Sequence, residues 1–326
     1  MTGKVPVLVT GGAGYIGSHA VLALLDAGWE VSVIDNLATG FRFAVPDAAA
    51  FYEGDIADGD LLARIFGERG IGAIMHFAGS IIVPESVANP LKYYRNNTAN
   101  SRALIEAAVT GGVPHFIFSS TAATYGIPEA SPVHEDSPKL PINPYGMSKL
   151  MTEIMLGDTA RAHPLNYCAL RYFNVAGADP AGRSGQSTEG ATHLIKVAVE
   201  AALGKRDKVA VFGTDYATPD GTGVRDYIHV SDLAAAHVLA LEALIAEPGR
   251  SLTMNCGYGH GFSVFEVLDA VDRVTNRTIE RELAPRRPGD PDSLISDPSL
   301  IKATLPWQPK HADLDEIVTH ALAWER

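Results

Sequence analysis

The sequence predicts an α/β fold, a doubly wound parallel sheet followed by a smaller C-terminal α/β domain. Three observations lead there. Short apolar runs alternate with helical patterns almost from the first residue, as in parallel sheets covered by helices on both faces. The first apolar run empties directly into a glycine cluster at 11–17. After residue 174 the texture changes: Gly, Asp, Ser and Thr crowd 177–190, and proline recurs through 284–298 and 305–309.

In chain order, residues 5–10 read as a buried strand and 18–27 as a helix closed by Gly28. Strands follow at 30–35, 51–55 and 73–77, then a helix over 97–109 that stops at Gly111-Gly112. A strand over 115–119, a helix after Pro144 and a strand over 167–172 complete the first domain, predicted as residues 1–173. Residues 174–326 form the second domain, with a helix at 191–203, a strand at 209–212 and a polar loop at 214–223. The regular segment at about 224–247 is expected to return to the first domain.

A chain of 326 residues, 46% hydrophobic and 20% charged, has ample material for such a core. Its net charge of −12 argues against nucleic-acid and anionic-membrane partners. The two cysteines, Cys168 and Cys256, lie in apolar runs and suit a reducing compartment. Nothing near the N-terminus reads as a signal peptide, and no window approaches the roughly 20 apolar residues of a membrane span. A cytoplasmic location is expected. The eleven histidines show no ligand spacing, so no metal is expected.

The glycine cluster Gly11-Gly12-Ala13-Gly14-Tyr15-Ile16-Gly17 lies between a predicted strand and a predicted helix. Glycines there allow a tight turn and let backbone N–H groups approach a pyrophosphate at the helix N-terminus. The second strand ends in Asp35, which can accept from both ribose hydroxyls and repels a 2′-phosphate. The pattern is that of a Rossmann-type domain and favours NAD over NADP. A glycine turn followed by a capping aspartate is the purely structural alternative, and the strand before and helix after the cluster weigh against it. His76-Phe77-Ala78-Gly79 closes the fourth strand with small residues suited to another cofactor contact, and His76 itself reads as a core histidine.

Asn143-Pro144-Tyr145-Gly146-Met147-Ser148-Lys149 opens a helix with Asn143 as cap and Pro144 at its first position. Tyr145 and Lys149 are four residues apart and share a face. A lysine beside a phenol is expected to lower its pKa from about 10 toward working pH. Tyr145 then serves as general base toward a substrate hydroxyl, with Thr121 of the Ser119-Ser120-Thr121 cluster bonding the reacting oxygen.

The run of motifs GGAGYIGSH (11–19), IDNL (34–37), EGDI (53–56), HFAG (76–79), NPLKYYRNN (89–97), SSTAATYG (119–126), NPYGMSKLM (143–151), LRYFNVAGADP (170–180), GTGVRDYIHVSDLA (221–234) and APRRPGD (284–290) resembles the extended short-chain dehydrogenases/reductases, most closely their UDP-glucose 4-epimerase branch. The resemblance implies reversible C4 epimerisation of UDP-glucose and UDP-galactose through a transient 4-keto sugar, with tightly bound NAD. It assigns Thr121, Tyr145 and Lys149 to catalysis. It assigns Gly11, Gly14, Tyr15, Ile16, Gly17, Asp35, Asn36, Asp55, Ile56, Phe77, Ala78, Gly79, Asn96, Ser119 and Tyr172 to NAD, with Tyr145 and Lys149 also touching it. The UDP-sugar side falls to Val83, Phe173, Asn174, Leu194, Ala210, Phe212, Arg225, Tyr227, Arg287, Asp290 and Leu294, together with Thr121. Arg225 and Arg287 also suit a diphosphate on chemical grounds, since guanidinium offers bidentate charge-assisted donors. Arg286 reads as a surface residue.

Two positions depart from the branch: Ile81 stands where many relatives carry lysine, and Leu294 occupies the position that sets pocket volume beside the sugar. Alternatives are a UDP-arabinose/UDP-xylose or UDP-N-acetylhexosamine 4-epimerase. A 4,6-dehydratase is disfavoured because relatives of that type place Asp-Glu after the threonine, where this chain has Ala122-Ala123. An inactive NAD-binding scaffold is disfavoured by the intact Thr121, Tyr145 and Lys149. Apolar residues on more than one face of the helices at 97–109 and 145–161 point to a homodimer.

Overall fold

Alternate residues of each sheet strand feed two separate cores. Val7, Val9, Val31, Val33, Met75 and Ile117 pack on one face of the sheet, while Leu8, Ile34, Ile74, Phe116 and Phe118 pack on the other, the period-2 geometry of a strand buried on both sides. The computed structural model describes residues 3–287 and 289–326.

The chain runs β1 (Val7–Thr10), α1 (Tyr15–Asp26), β2 (Val31–Asp35), β3 (Ala50–Glu53), α2 (Gly59–Arg69) and β4 (Ala73–His76). Two short helices, α3 (Val83–Ala88) and α4 (Pro90–Tyr93), and a π-helical turn (Tyr94–Ala99) lead into α5 (Asn100–Thr110) and β5 (His115–Thr121). Then come α6 (Pro144–Ala162), β6 (Asn166–Tyr172), β7 (Asn174–Ala176), α7 (Leu194–Ala202), β8 (Val209–Phe212) and β9 (Val224–His229). The last third holds α8 (Val230–Ala246), β10 (Leu252–Cys256), β11 (Gly261–Ser263), α9 (Val264–Thr275), β12 (Arg281–Ala284), β13 (Ser293–Leu294), α10 (Ser299–Thr304) and α11 (Leu314–Glu325).

Seven strands form one parallel sheet in the order β10-β6-β5-β4-β1-β2-β3. The order reverses at β1, so the strand ends on either side of it open a crevice, where open α/β sheets bind ligands. A second sheet joins β11, β9, β13 and β7, and β8 pairs with β12 in a small ribbon. The helices α7, α9 and α11 cover a third core built on Tyr227, Val209 and Val211. The capping box of Ser263 and Glu266 fixes the start of α9.

Two expectations shift. The return to the large sheet begins partway through 224–247: β9 pairs within the second sheet, while α8, the rest of that segment, and then β10 go back. The reason is apolar pattern. Leu233, Ala236, Ala240, Leu241 and Leu244 of α8 pack on the large sheet's core, whereas β9 alternates Arg225 and Tyr227 with the buried Asp226. The helix expected over 97–109 starts as a π turn through Ala99. Asn96 and Asn97 are poor interior helix formers, and the wider turn lets both side chains bond outside the helix.

Candidate active site

The strand ends at the crevice carry the residues that the sequence singles out. At Gly11 the backbone has φ 69°, and a Cβ there would stand 2.6 Å from the Ala78 backbone nitrogen. A Cβ at Gly17 would stand 2.1 Å from the Gly11 carbonyl oxygen. Only glycine fits either place. The first turn of α1 starts at Gly14, with no side-chain cap and no acidic residue. Its N–H groups are therefore left for an anionic ligand, the cradle that a pyrophosphate needs.

Asp35 ends β2 and is nearly buried. Its carboxylate accepts from the Ala13 N–H at 3.0 Å and the Leu37 N–H at 2.8 Å, so it braces the glycine loop as well as facing the crevice. Burial raises its pKa, and the two backbone donors work against that rise. Asn36 and Asn100 bond the two carboxylate oxygens of Asp55 at 3.5 and 3.1 Å, with Ile56 buried beside it. The Tyr15 hydroxyl donates to the Gly177 carbonyl at 2.6 Å and pins the glycine loop to the second unit. Ile16 packs against the core of the large sheet. His76 bonds Thr10 and Ser101 from inside the core, as a structural histidine.

After β4, Phe77, Ala78 and Gly79 continue the crevice wall, and a Cβ at Gly79 would lie 3.7 Å from the Lys149 Nζ. Asn96 donates to the Ser80 hydroxyl at 3.0 Å. Asn97, which sequence reasoning missed, accepts from the Ser80 N–H at 2.7 Å and donates to the Ser80 carbonyl and the Ser148 hydroxyl. It fastens the loop after β4 to α6 between Tyr145 and Lys149. Its signal was the adjacent Asn-Asn pair in an otherwise helical run.

Thr121 ends β5 beside Tyr172 of β6. Its side-chain oxygen accepts from the Ala123 N–H at 3.2 Å, which leaves its own proton free to point into the site. Asn143 caps α6 by accepting from the Gly146 N–H at 2.9 Å, and this places Tyr145 and Lys149 one turn apart. Lys149 is buried, and its Nζ donates to the Ser119 carbonyl at 2.9 Å while lying 5.0 Å over the Phe118 ring. Burial pulls its pKa down to about 8. Ser119 also bonds the Tyr172 hydroxyl.

Tyr145 differs from expectation. Burial raises its pKa, and the opposing influence is the Thr121 hydroxyl, not Lys149. The physical reason is that the ammonium group is aimed at Ser119 and is itself only weakly basic.

Across the crevice, Arg225 of β9 pairs with Asp290 and also donates to the Val224 carbonyl at 2.8 Å. The Arg287 guanidinium lies 3.8 Å over the Phe212 ring, and Ala210 and Phe212 share the less buried face of β8. Arg286 is held by Asp215 at 2.7 Å, in keeping with a surface role. Asn174, Leu194 and Tyr227 line one small cavity. Leu294 and Phe173 pack together on Ala122, Tyr125 and Val133, just beyond Thr121. Val83 and Ile81 are partly exposed on the other rim.

The parallel sheet with its glycine cradle after β1, Thr121 at the end of β5, Tyr145 and Lys149 on α6, and a second unit carrying Arg225 and Arg287 define an extended short-chain dehydrogenase/reductase. The sequence profile of the NAD dependent epimerase/dehydratase family matches residues 7–257. The chain belongs to that family. The UDP-glucose 4-epimerase of Azospirillum brasilense is 58% identical over 320 residues, which are 98% of this chain and 92% of that protein. The structure of the UDP-Glc/GlcNAc 4-epimerase from Campylobacter jejuni is 50% identical with a TM-score of 0.87, covering 99% of each chain. The UDP-glucose 4-epimerase of Brucella ovis, solved with NAD, is 45% identical with a TM-score of 0.95, covering 98% of each chain. Among the described residues no helix is long and apolar enough to cross a membrane.

Proposed function

We propose that this protein interconverts UDP-glucose and UDP-galactose by epimerisation at C4 with tightly held NAD. The observation that carries the reading is the meeting of Thr121, at the end of β5, with Tyr145, at the start of α6, in a chain that also carries the glycine cradle and the arginines Arg225 and Arg287. Bound NAD supplies a reversible hydride acceptor, so that a transient 4-keto sugar forms and no net redox change results.

The chain's own residues do the rest. Gly11, Gly14 and Gly17 with the start of α1 hold the pyrophosphate, Asp35 and Asn36 the ribose, and Asp55 and Ile56 the adenine end. Tyr15, Ile16, Phe77, Ala78, Gly79, Asn96, Ser119 and Tyr172 line the remaining cofactor wall. Thr121 orients the C4 hydroxyl and, by its hydrogen bond, favours the Tyr145 phenolate against the burial that raises its pKa. The positive charge of an oxidised nicotinamide ring would favour the phenolate further, and in that form Tyr145 takes the C4 hydroxyl proton and later returns it. Lys149 keeps a positive charge near the cofactor wall below pH 8 and holds the end of β5 in place. Arg225 and Arg287 grip the diphosphate, aided by Asn174, Leu194, Ala210, Phe212, Tyr227 and Asp290. Binding energy thus comes from the nucleotide. The apolar surface of Leu294, Phe173 and Val83 leaves the sugar free to turn over between oxidation and reduction.

Residues 1–173 serve as the NAD-binding unit and 174–326 as the UDP-sugar unit, with α8 and β10 returning to the former. The protein acts in the cytoplasm as a homodimer joined through α5 and α6, the latter exposing Met151 and Ile154. Because the reaction regenerates its cofactor, NAD released on denaturing the purified protein should approach one per chain, and turnover should need none added. Full turnover by a protein that releases no nucleotide on denaturation would overturn the reading.

A further inference from the structure

Far along the chain, outside the residues 7–257 that the family profile matches, three metal-ligating side chains come together. Glu316 and His320 are four residues apart on α11 and share one face. His311 precedes that helix and bonds the Glu316 carboxylate through Nδ1 at 2.7 Å. One donor atom from each of the three lies within 4.8 Å of the others. Histidine spacing alone missed the cluster, because one of its members is a carboxylate, and His311 joins the helix pair only through the turn before α11.

A fourth ring closes it from the side. His229 ends β9 and is fully buried. Its Nδ1 accepts the Ser231 N–H at 3.0 Å, so its single proton sits on Nε2, aimed at His320 Nδ1 3.0 Å away. The His229 and His311 rings are 4.6 Å apart. The His229 Nε2–H thus donates to His320 Nδ1, and His320 offers its lone pair there.

We propose that His311, Glu316 and His320 form a binding site for a divalent transition cation of the zinc class, with His229 as its supporting donor. Two imidazoles and a carboxylate are a borderline ligand set that suits zinc and its neighbours, with the fourth position left to water. On binding, His311 shifts its proton from Nδ1 to Nε2, and His320 gives its Nδ1 lone pair to the metal. The His229 N–H, released from His320, then donates to the metal-bound water and orients it. The cation then clamps the C-terminal helix to the loop before it and to the end of β9. The hydrogen bonds of His311, Glu316 and His320 run among themselves and to His229, Asp232, Tyr258 and Asp313, with none to Thr121, Tyr145 or Lys149, so the site is assigned no part in the sugar chemistry.

The test uses the full chain, stripped with a chelator and titrated with zinc chloride alone by calorimetry. One saturable site per chain is expected, with a rise in melting temperature on zinc addition. His320→Ala and Glu316→Gln should each weaken zinc at least ~10-fold, the lower edge of what losing even a group that only bonds a metal ligand costs. Metal-free His320→Ala should keep wild-type epimerase turnover, which shows that it is folded. No saturable site in the wild type, or undiminished zinc affinity in the His320→Ala/Glu316→Gln double variant, would overturn the assignment.

Discussion

Lys149 is held at a cost, and the cost can be measured. The side chain is 3% exposed, and burial brings its pKa from 10.5 to about 8. At 1.36 kcal/mol per unit, that shift is worth about 3 kcal/mol of destabilisation while the group is charged. Below pH 8 the lysine is protonated in both folded and unfolded chains, so the full penalty applies. Between pH 8 and 10.5 the unfolded chain holds a proton that the folded chain has lost, so stability rises with pH, and above 10.5 the penalty is gone. Lys149→Met removes the titration. It also removes the bond to the Ser119 carbonyl, which costs about 1–3 kcal/mol at any pH. The stability advantage of the variant over wild type should therefore fall by about 3 kcal/mol between pH 7 and pH 10.5, whatever its starting value. Urea unfolding of both proteins, freed of nucleotide, at pH steps across that range gives the difference directly. A difference that stays flat with pH would show that Lys149 is not a buried, weakly basic amine.

Tyr145→Phe should lower turnover at least ~10²-fold while leaving nucleotide binding intact, the lower end for loss of a general acid–base group; near-normal turnover would move the proton-transfer role elsewhere. Asp35→Ala removes the acceptor of two backbone N–H bonds, of which the one from Ala13 braces the glycine loop. NAD retention should drop and the fold should lose about 2–3 kcal/mol, read from released nucleotide and from denaturant midpoints. Leu294 and Phe173 pack on the small cluster of Ala122, Tyr125 and Val133, and with Leu294 as the gate hexose substrates should exceed their N-acetylated analogues by at least ~10-fold in kcat/KM. Leu294→Ser should narrow that ratio, and an unchanged ratio would mean that Leu294 is not the gate.

The large sheet was legible because each of its strands announces itself locally. Apolar runs such as 7–10, 31–35 and 115–121 are buried along their whole length, and glycine positions such as Gly11 and Gly17 answer to sterics within a few residues. The catalytic helix was legible through its cap, Asn143, and the four-residue spacing of Tyr145 and Lys149. What the sequence hid depends on distant contacts. The return of the chain was placed too early because β9 reads as a regular strand, while its pairing with β7, β11 and β13 is set by segments up to 70 residues away. The direction of the Tyr145 pKa depends on where the lysine points, and four-residue spacing does not specify that. Asn97 works through Ser80 and Ser148, which come together only when the π turn, the loop after β4 and α6 have assembled.

The central claim is that chemistry occurs at C4 by removal and return of one hydrogen to the same carbon. The most direct measurement is to incubate the purified protein with UDP-glucose deuterated at C4, without added NAD, and to examine the product by NMR and mass spectrometry. The account predicts UDP-galactose that retains its deuterium at C4, since the hydrogen never exchanges with water. UDP-galactose that has lost the label to solvent, or a 4-keto-6-deoxy product in place of UDP-galactose, would contradict it.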